Sequence, residues 1–324
     1  MLLLFTLDLQ NRIVLPESSM KITELLKNKK QDSVTISVEI TPPVRGHSID
    51  TLFKIVDDIL PYNPLWIDVT SHASGVLWVP TQTNQYEKRL YKKTPGTIAI
   101  CAAIEHKFNI PTVPHLLCHG FSREETEDAL IDLSFLGIQN IMALRGDGSP
   151  KDRRSDRTYN SYALDLVAQV QHMNQGKFLS TEGEPTDFEV GIACYPEKHF
   201  EAPNLDWDVE YLIQKQNAGA KYAIAQMFFD NHKFLDFYTE RSNNLKIPII
   251  PATKIISSPE QLVKLSKYFY INFPNLLVSQ MRQAKTKTES GEVGIEWAYQ
   301  QCLDLIEHGH RHLHFYVMKD TRLF

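Results

Sequence analysis

The sequence predicts one α/β domain built as a (β/α)8 TIM barrel, and three observations carry that reading. From Val34 onward, short β-rich runs alternate with longer amphipathic segments, the pattern of βα units around a parallel sheet. Eight such runs occur, enough to close a barrel. No Pro/Gly/Ser-rich linker or composition shift divides the 324 residues. A doubly wound open sheet is the alternative architecture.

Taken in order, residues 1–19 precede the pattern. Their apolar start has no basic n-region, carries Asp8 and Arg12 early and lacks a small-residue cleavage site, which argues against a secretory signal. The stretch is also too short to span a bilayer, so an extension outside the fold is expected. Met20 opens the helical "MKITELLKNKK" and with it the domain, 20–324. The expected strands are 34–40 (VTISVEI), 65–70 (LWIDVT), 112–117 (TVPHLL), 140–144 (NIMAL), 189–195 (EVGIACY), 222–226 (YAIAQ), 247–251 (IPIIP) and 312–317 (HLHFYV). Between them, "SREETEDALIDLSFLG" pairs Ser122 with Glu125 as a capping box and ends on Gly137. "SPEQLVKLSKYF" sets Ser258 before Pro259 at the first helical position.

Composition narrows the function. A hydrophobic fraction of 43% and a charged fraction of 23% are those of a soluble globular protein. With 34 basic against 39 acidic residues the net charge is −5, so nothing attracts the chain to a phosphate backbone and no nucleic-acid partner is expected. Cys101, Cys118, Cys194 and Cys302 are scattered without a C-x-x-C pair, which points to neither a disulfide framework nor a zinc ribbon. A reducing cytoplasm fits, with no membrane partner.

Barrel enzymes gather their chemistry at the C-terminal ends of the strands. Glu39, Asp68, Thr70, His115, Tyr195 and Gln226 fall at or near such ends, and "NIMALRGDGSP" ends a strand abruptly in Arg145, Gly146 and Asp147. If Glu39 in "SVEITPP" points into an apolar mouth, desolvation raises its pKa and makes it a general acid near neutrality; the plain alternative is a solvated strand end. "RGDG" reads equally as a structural Arg–Asp turn, and His115 or His119 as a satisfied structural histidine. "HGHRHLH" places His312 and His314 on one strand face, but no carboxylate interleaves and H-E-x-x-H is absent, so no metal site is assigned. With neither G-x-G-x-x-G nor a P-loop, a dinucleotide would rest on "SHASG", "RGDG" and "YPEKHFEAPN".

Together "SVEITPP", "IDVTSHASG", "PHLLC", "NIMALRGDG", "GIACYPEKHFEAPN", "AGAKYAIAQMFFD" and "HFYVM" resemble the methylenetetrahydrofolate reductase family, in the same order over roughly Met20 to Met318. The resemblance implies a barrel that binds FAD at the strand C-ends. It implies reduction of 5,10-methylenetetrahydrofolate to 5-methyltetrahydrofolate by NADH or NADPH, with hydride passing through FAD in ping-pong fashion and the product feeding methionine synthesis. The length suggests the short bacterial form, which lacks a regulatory domain and usually prefers NADH; a homo-oligomer binding only small molecules is expected.

Carried over by motif, Glu39 matches the family's general acid, and Asp147 a catalytic carboxylate that contacts pterin and flavin. Gln226 and Gln261 match folate-binding glutamines. Thr70, Ser71, Ala73, His115, Arg145, Gly146, Asp147, Ala163, Tyr195, His199, Ala202, Asp208 and Lys215 match FAD contacts, with Thr70 also placed to meet the nicotinamide. Three departures stand out. Ser71 and His72 replace a common Tyr-Gly, and Tyr211 and Gln214 replace polar or basic flavin contacts. Asp320 stands where a substrate-binding Arg is often found, with Arg322 two residues away.

Overall fold

Alternation along the first strand sets the inside and outside of the molecule. In the computed structural model, which describes residues 21–30, 33–83, 85–146, 157–241, 244–318 and 321, strand β1 spans Thr35–Ile40. Ile36, Val38 and Ile40 are buried in the apolar layer under the helices, while Ser37 and Glu39 turn to the interior and meet side chains from other strands. Ten further strands follow: β2 (Ile67–Val69), β3 (Gly75–Pro80), β4 (Tyr86–Tyr91), β5 (Thr112–Leu117), β6 (Asn140–Leu144), β7 (Glu189–Cys194), β8 (Tyr222–Ala225), β9 (Ile249–Ile250), β10 (Ala252–Thr253) and β11 (His312–Met318).

The main sheet runs β10-β11-β1-β2-β5-β6-β7-β8-β9, with every pairing parallel. Strands β9 and β10 are one run broken at Pro251, which has no N–H to give to a ladder but whose carbonyl accepts from the His314 N–H at 3.0 Å. The first half of that run pairs with β8 through Ala223↔Ile249 and the second with β11 through Ala252↔His314. The sheet thereby returns on itself as a barrel, and the open-sheet alternative falls. All eight expected strands are present.

Helices cover the outside: α1 (Ile22–Asn28), α2 (Ile49–Ile59), α3 (Thr97–Phe108), α4 (Arg123–Phe135), α5 (Ala163–Met173), α6 (Leu205–Asn217), α7 (Asn231–Asp236), α8 (Pro259–Phe269), α9 (Asn275–Gln283) and α10 (Lys287–Glu307). The capping box opens α4: Ser122 Oγ accepts from the Glu125 N–H at 3.1 Å, and Glu125 Oε2 accepts from the Ser122 N–H at 2.8 Å. Gly137 follows the helix with φ +74. Ser258 takes the N-cap of α8, with Pro259 opening the helix.

Helix α1 closes the bottom of the barrel. Ile22 and Leu25 bury themselves against the interior residues Trp66, Val113, Met142 and Tyr222, while the Ile22 N–H reaches Asn140 Oδ1 at 3.2 Å and the Thr23 N–H reaches Glu189 Oε1 at 2.8 Å. The opposite end, where the strands finish, is the mouth. Residues 1–19, expected to lie outside the fold, are outside the described residues. Among the described residues no helix is long and apolar enough to cross a membrane, and all four cysteines are buried free thiols.

One element was not expected. Strands β3 and β4 form an antiparallel hairpin above β2, with Trp78 opposite Lys88 and Leu77 opposite Arg89. Its residues are mostly exposed, Trp78 by 62% and Tyr86 by 69%, so no buried face imposed the apolar–polar alternation by which a strand is recognised in sequence.

Candidate active site

Register explains why three ionisable side chains converge at the mouth. Glu39 of β1 pairs with Asp68 of β2, and Val69 pairs with Pro114 of β5, one residue before His115. All three side chains point inward. His115 Nε2 stands 3.6 Å from Glu39 Oε2 and 3.5 Å from Asp68 Oδ1. Asp68 has no solvent-exposed side-chain surface, and its second oxygen, Oδ2, accepts the Trp66 indole N–H at 2.7 Å. His314 Nδ1 comes within 3.8 Å of that same oxygen and is hydrogen-bonded to Ser37 Oγ at 2.8 Å.

Burial sets the protonation of this group. Glu39 is pushed up to about 7, chiefly because the charged form loses its water; Asp68 adds to the rise, while His115 and Lys254 oppose it. Burial works against charging His115, yet the adjoining Asp68 and Glu39 carboxylates prevail and raise its pKa. His314 goes the other way: burial pulls it down to about 4 despite the nearby Asp68. A carboxyl with a pKa near 7 at a barrel mouth is equipped to deliver a proton at neutral pH.

The rim holds the other expected residues. Thr70, immediately beyond β2, is buried, and its hydroxyl Oγ1 has no hydrogen-bond partner. Ser71 and Ala73 continue that loop, half-buried. Gly120, in the loop after β5, adopts φ +83; a Cβ there would lie 2.5 Å from the Ala73 Cβ, so glycine is what lets the two loops touch. Arg145 and Gly146 leave β6, Arg145 binding the Glu201 carboxylate and lying over the Phe200 ring at 5.9 Å. Gly146 takes φ +79. Ala163 is the first residue of α5, whose N-terminus faces the mouth end.

After β7, Tyr195 meets His199 edge-on at 4.8 Å, and Asp208 Oδ2 accepts the His199 N–H at 2.8 Å. The Ala202 N–H closes the turn onto the His199 carbonyl at 3.0 Å. Burial lowers the His199 pKa against the pull of Asp208. Lys215 is buried between α6 and β7, where its ammonium donates to the Ala193 carbonyl at 3.1 Å and desolvation depresses its pKa.

Gln226 opens the loop after β8 and its Oε1 accepts the Met227 N–H at 3.0 Å. Gln261 sits in the first turn of α8, its Oε1 accepting the Ser257 N–H at 2.8 Å. Both bonds occupy the carbonyl oxygens and leave the amide N–H donors for other partners. Asp147, Asp320 and Arg322 lie outside the described residues.

Of the histidines of "HGHRHLH", His312 and His314 share Ser37 Oγ, at 3.1 and 2.8 Å. His308 contacts Asp304 at 3.4 Å on the surface, and His310 meets the Phe234 and Tyr238 rings. His312 stacks on Trp66 at 4.5 Å and bonds Thr35 at 2.8 Å, while His314 serves Ser37 and Asp68. Inward pointing of His312 and His314 follows the expected alternation. The reading of single strands gave no role to Lys254 or Tyr316, yet Lys254 donates to the Tyr316 carbonyl at 2.8 Å and its charge acts on Glu39. Lys254 directly follows the "IIPAT" run, a strand-end position that could have marked it.

Comparison with known proteins bears on the family and the fold. The pattern of the family "Methylenetetrahydrofolate reductase" matches residues 21–324. Methylenetetrahydrofolate reductase 2 of Saccharomyces cerevisiae is 30% identical over 310 residues, covering 92% of this chain and 47% of that protein. The 5,10-methylenetetrahydrofolate reductase of Pectobacterium carotovorum subsp. carotovorum is 27% identical over 295 residues, covering 90% of this chain and 88% of that protein. The chain thus spans about half the length of the eukaryotic relatives it matches and most of the bacterial one. Among solved structures, an uncharacterised protein from Clostridium thermocellum that binds two copies of 5-methyl-5,6,7,8-tetrahydrofolic acid superposes with a TM-score of 0.55. It shares 18% identity over 91% of either chain, a likeness of fold.

Proposed function

The chain belongs to the methylenetetrahydrofolate reductase family, and on that premise we propose that it reduces 5,10-methylenetetrahydrofolate to 5-methyltetrahydrofolate, with NADH or NADPH as electron donor and FAD as carrier. The observation that carries the reading is Glu39, a desolvated carboxyl with a pKa of about 7 beside His115 at the mouth of a closed barrel. The reaction opens a C–N bond of the methylene bridge, and the amine that leaves needs a proton at the moment it leaves.

The residues present fit a flavin. Thr70 Oγ1 is a buried polar atom with no hydrogen-bond partner, as expected of a group that waits for a ligand's polar edge. Thr70, Ser71, Ala73, His115, Arg145, Gly146, Ala163, Tyr195, His199, Ala202, Asp208 and Lys215 would hold the cofactor, together with Asp147. The chemistry that a bound FAD would supply is hydride transfer between nicotinamide and folate.

Protein groups do the rest. Glu39 donates its proton to the departing folate nitrogen and so produces the electrophilic carbon. Gln226 and Gln261 orient the pterin by their free amide N–H groups, and Asp147 stabilises the developing cation by its charge. Nicotinamide and folate take turns at one mouth, which is the basis for a ping-pong order. Four buried thiols suit a reducing cytoplasm. The test is product identification: incubation with NADH and methylenetetrahydrofolate should yield 5-methyltetrahydrofolate by mass spectrometry, and NADH-independent conversion to any other folate would refute the reading.

A further inference from the structure

Proton delivery by Glu39 leaves two buried ionisable neighbours without a task. Asp68 sits at the centre of the barrel with both flanks occupied by histidine: His115 at 3.5 Å from Oδ1 and His314 at 3.8 Å from Oδ2. The Trp66 indole N–H fixes Oδ2, so Oδ1 is held toward His115 and has no hydrogen-bond partner of its own. A buried carboxylate without a counter-charge is costly. His314 does not supply one at neutral pH, since burial holds it down to about 4. The counter-charge therefore falls to His115, whose Nε2 is shared between Asp68 and Glu39.

We propose that Asp68 is a positioning residue for the acid chemistry: it holds His115 against Glu39, so that Glu39 and His115 act as one acid pair and share the proton that opens the methylene bridge. The inference rests on the function proposed above. Each turnover takes one proton from the pair to the folate nitrogen, and solvent returns one proton to the pair. Two groups this close titrate together, so the pair has its own apparent pKa values rather than one for each residue. Among the described residues, Lys254, which favours the charged form of Glu39, and Tyr316, His314 and Tyr195 are further ionisable groups around the pair. The raised pKa of His115 agrees with the geometry.

Asp68→Asn removes the negative charge that retains the pair's last proton while keeping the shape and the Trp66 bond. In the flavin-loaded full chain, the rate at which methylenetetrahydrofolate reoxidises reduced flavin is followed from pH 6 to 9. The alkaline limb should move to lower pH by about one unit or more, roughly a tenfold loss above the limb, the size expected for a charge at this distance. An unmoved limb, whether the rate falls equally at every pH or does not fall at all, would overturn the proposal. Nitrogen-15 NMR of the histidines in the unmutated protein, with His115 assigned through His115→Gln, reads the same claim without turnover or mutation of Asp68. An imidazolium at pH 7 supports it, and a neutral ring from pH 6.5 to 8 overturns it. If the unmutated protein is never reoxidised by the folate, the function reading fails, while the NMR result still decides the pairing.

Discussion

Replacing Glu39 with glutamine should weaken the enzyme and strengthen the fold. The side chain is 12% exposed, and its pKa is raised from an ordinary 4.5 to about 7. A folded-state pKa above the unfolded one means that stability is fully present below pH 4.5 and is lost as the pH rises through 7. At about 1.4 kcal/mol per pH unit, keeping Glu39 in place costs about 1 kcal/mol at pH 5.5 and about 3 kcal/mol at pH 8. A neutral carboxamide escapes that cost. Urea titrations at the two pH values should therefore show Glu39→Gln more stable than the unmutated protein, by a margin that grows by about 2 kcal/mol from pH 5.5 to 8. In the same variant, folate-driven reoxidation of the flavin should slow by ~10² or more, as for a lost general acid, while bleaching by NADH persists. A variant less stable at pH 8, or one slowed equally in both half-reactions, would show that Glu39 holds the mouth together and does not serve as its acid.

Three further outcomes follow from the rim and the helices. Arg145→Ala should yield paler protein after gel filtration with little change in melting, because its partly exposed pair with Glu201 contributes only ~0–1 kcal/mol to the fold; a fully yellow but early-melting variant would make Arg145 structural. Gly120→Ala puts a Cβ 2.5 Å from that of Ala73 at φ +83, so the two loops must part and flavin affinity should fall, read by fluorescence titration with FAD; unchanged affinity would remove those loops from the cofactor site. Ser122→Ala breaks the capping box of α4 and should cost about 1 kcal/mol in urea unfolding without altering the spectrum of the bound flavin.

The fold was legible where burial writes a pattern and illegible where it does not. β1 and β5 to β8 stand out because one or both faces are buried, and the ends of α4 were readable from Ser122, Glu125 and Gly137 alone. The β3–β4 hairpin carries no such pattern because most of it is exposed. The segment broken at Pro251 reads as one run in the sequence, and its division needs the tertiary pairing with β8 and β11. At the site, strand-end position singles out Glu39, Asp68, Thr70 and His115 alike. That Asp68 is the buried charge to which His115 answers depends on register between strands far apart in sequence, and no local motif encodes it.

The most direct test of the central claim is the visible spectrum of the purified chain, recorded anaerobically as each substrate is added in turn. A flavin band should bleach on addition of NADH and return on addition of methylenetetrahydrofolate, with the return slowing as the pH is raised above 7. A protein that takes up FAD and is bleached by NADH, but stays bleached in the presence of the folate at every pH, would contradict it.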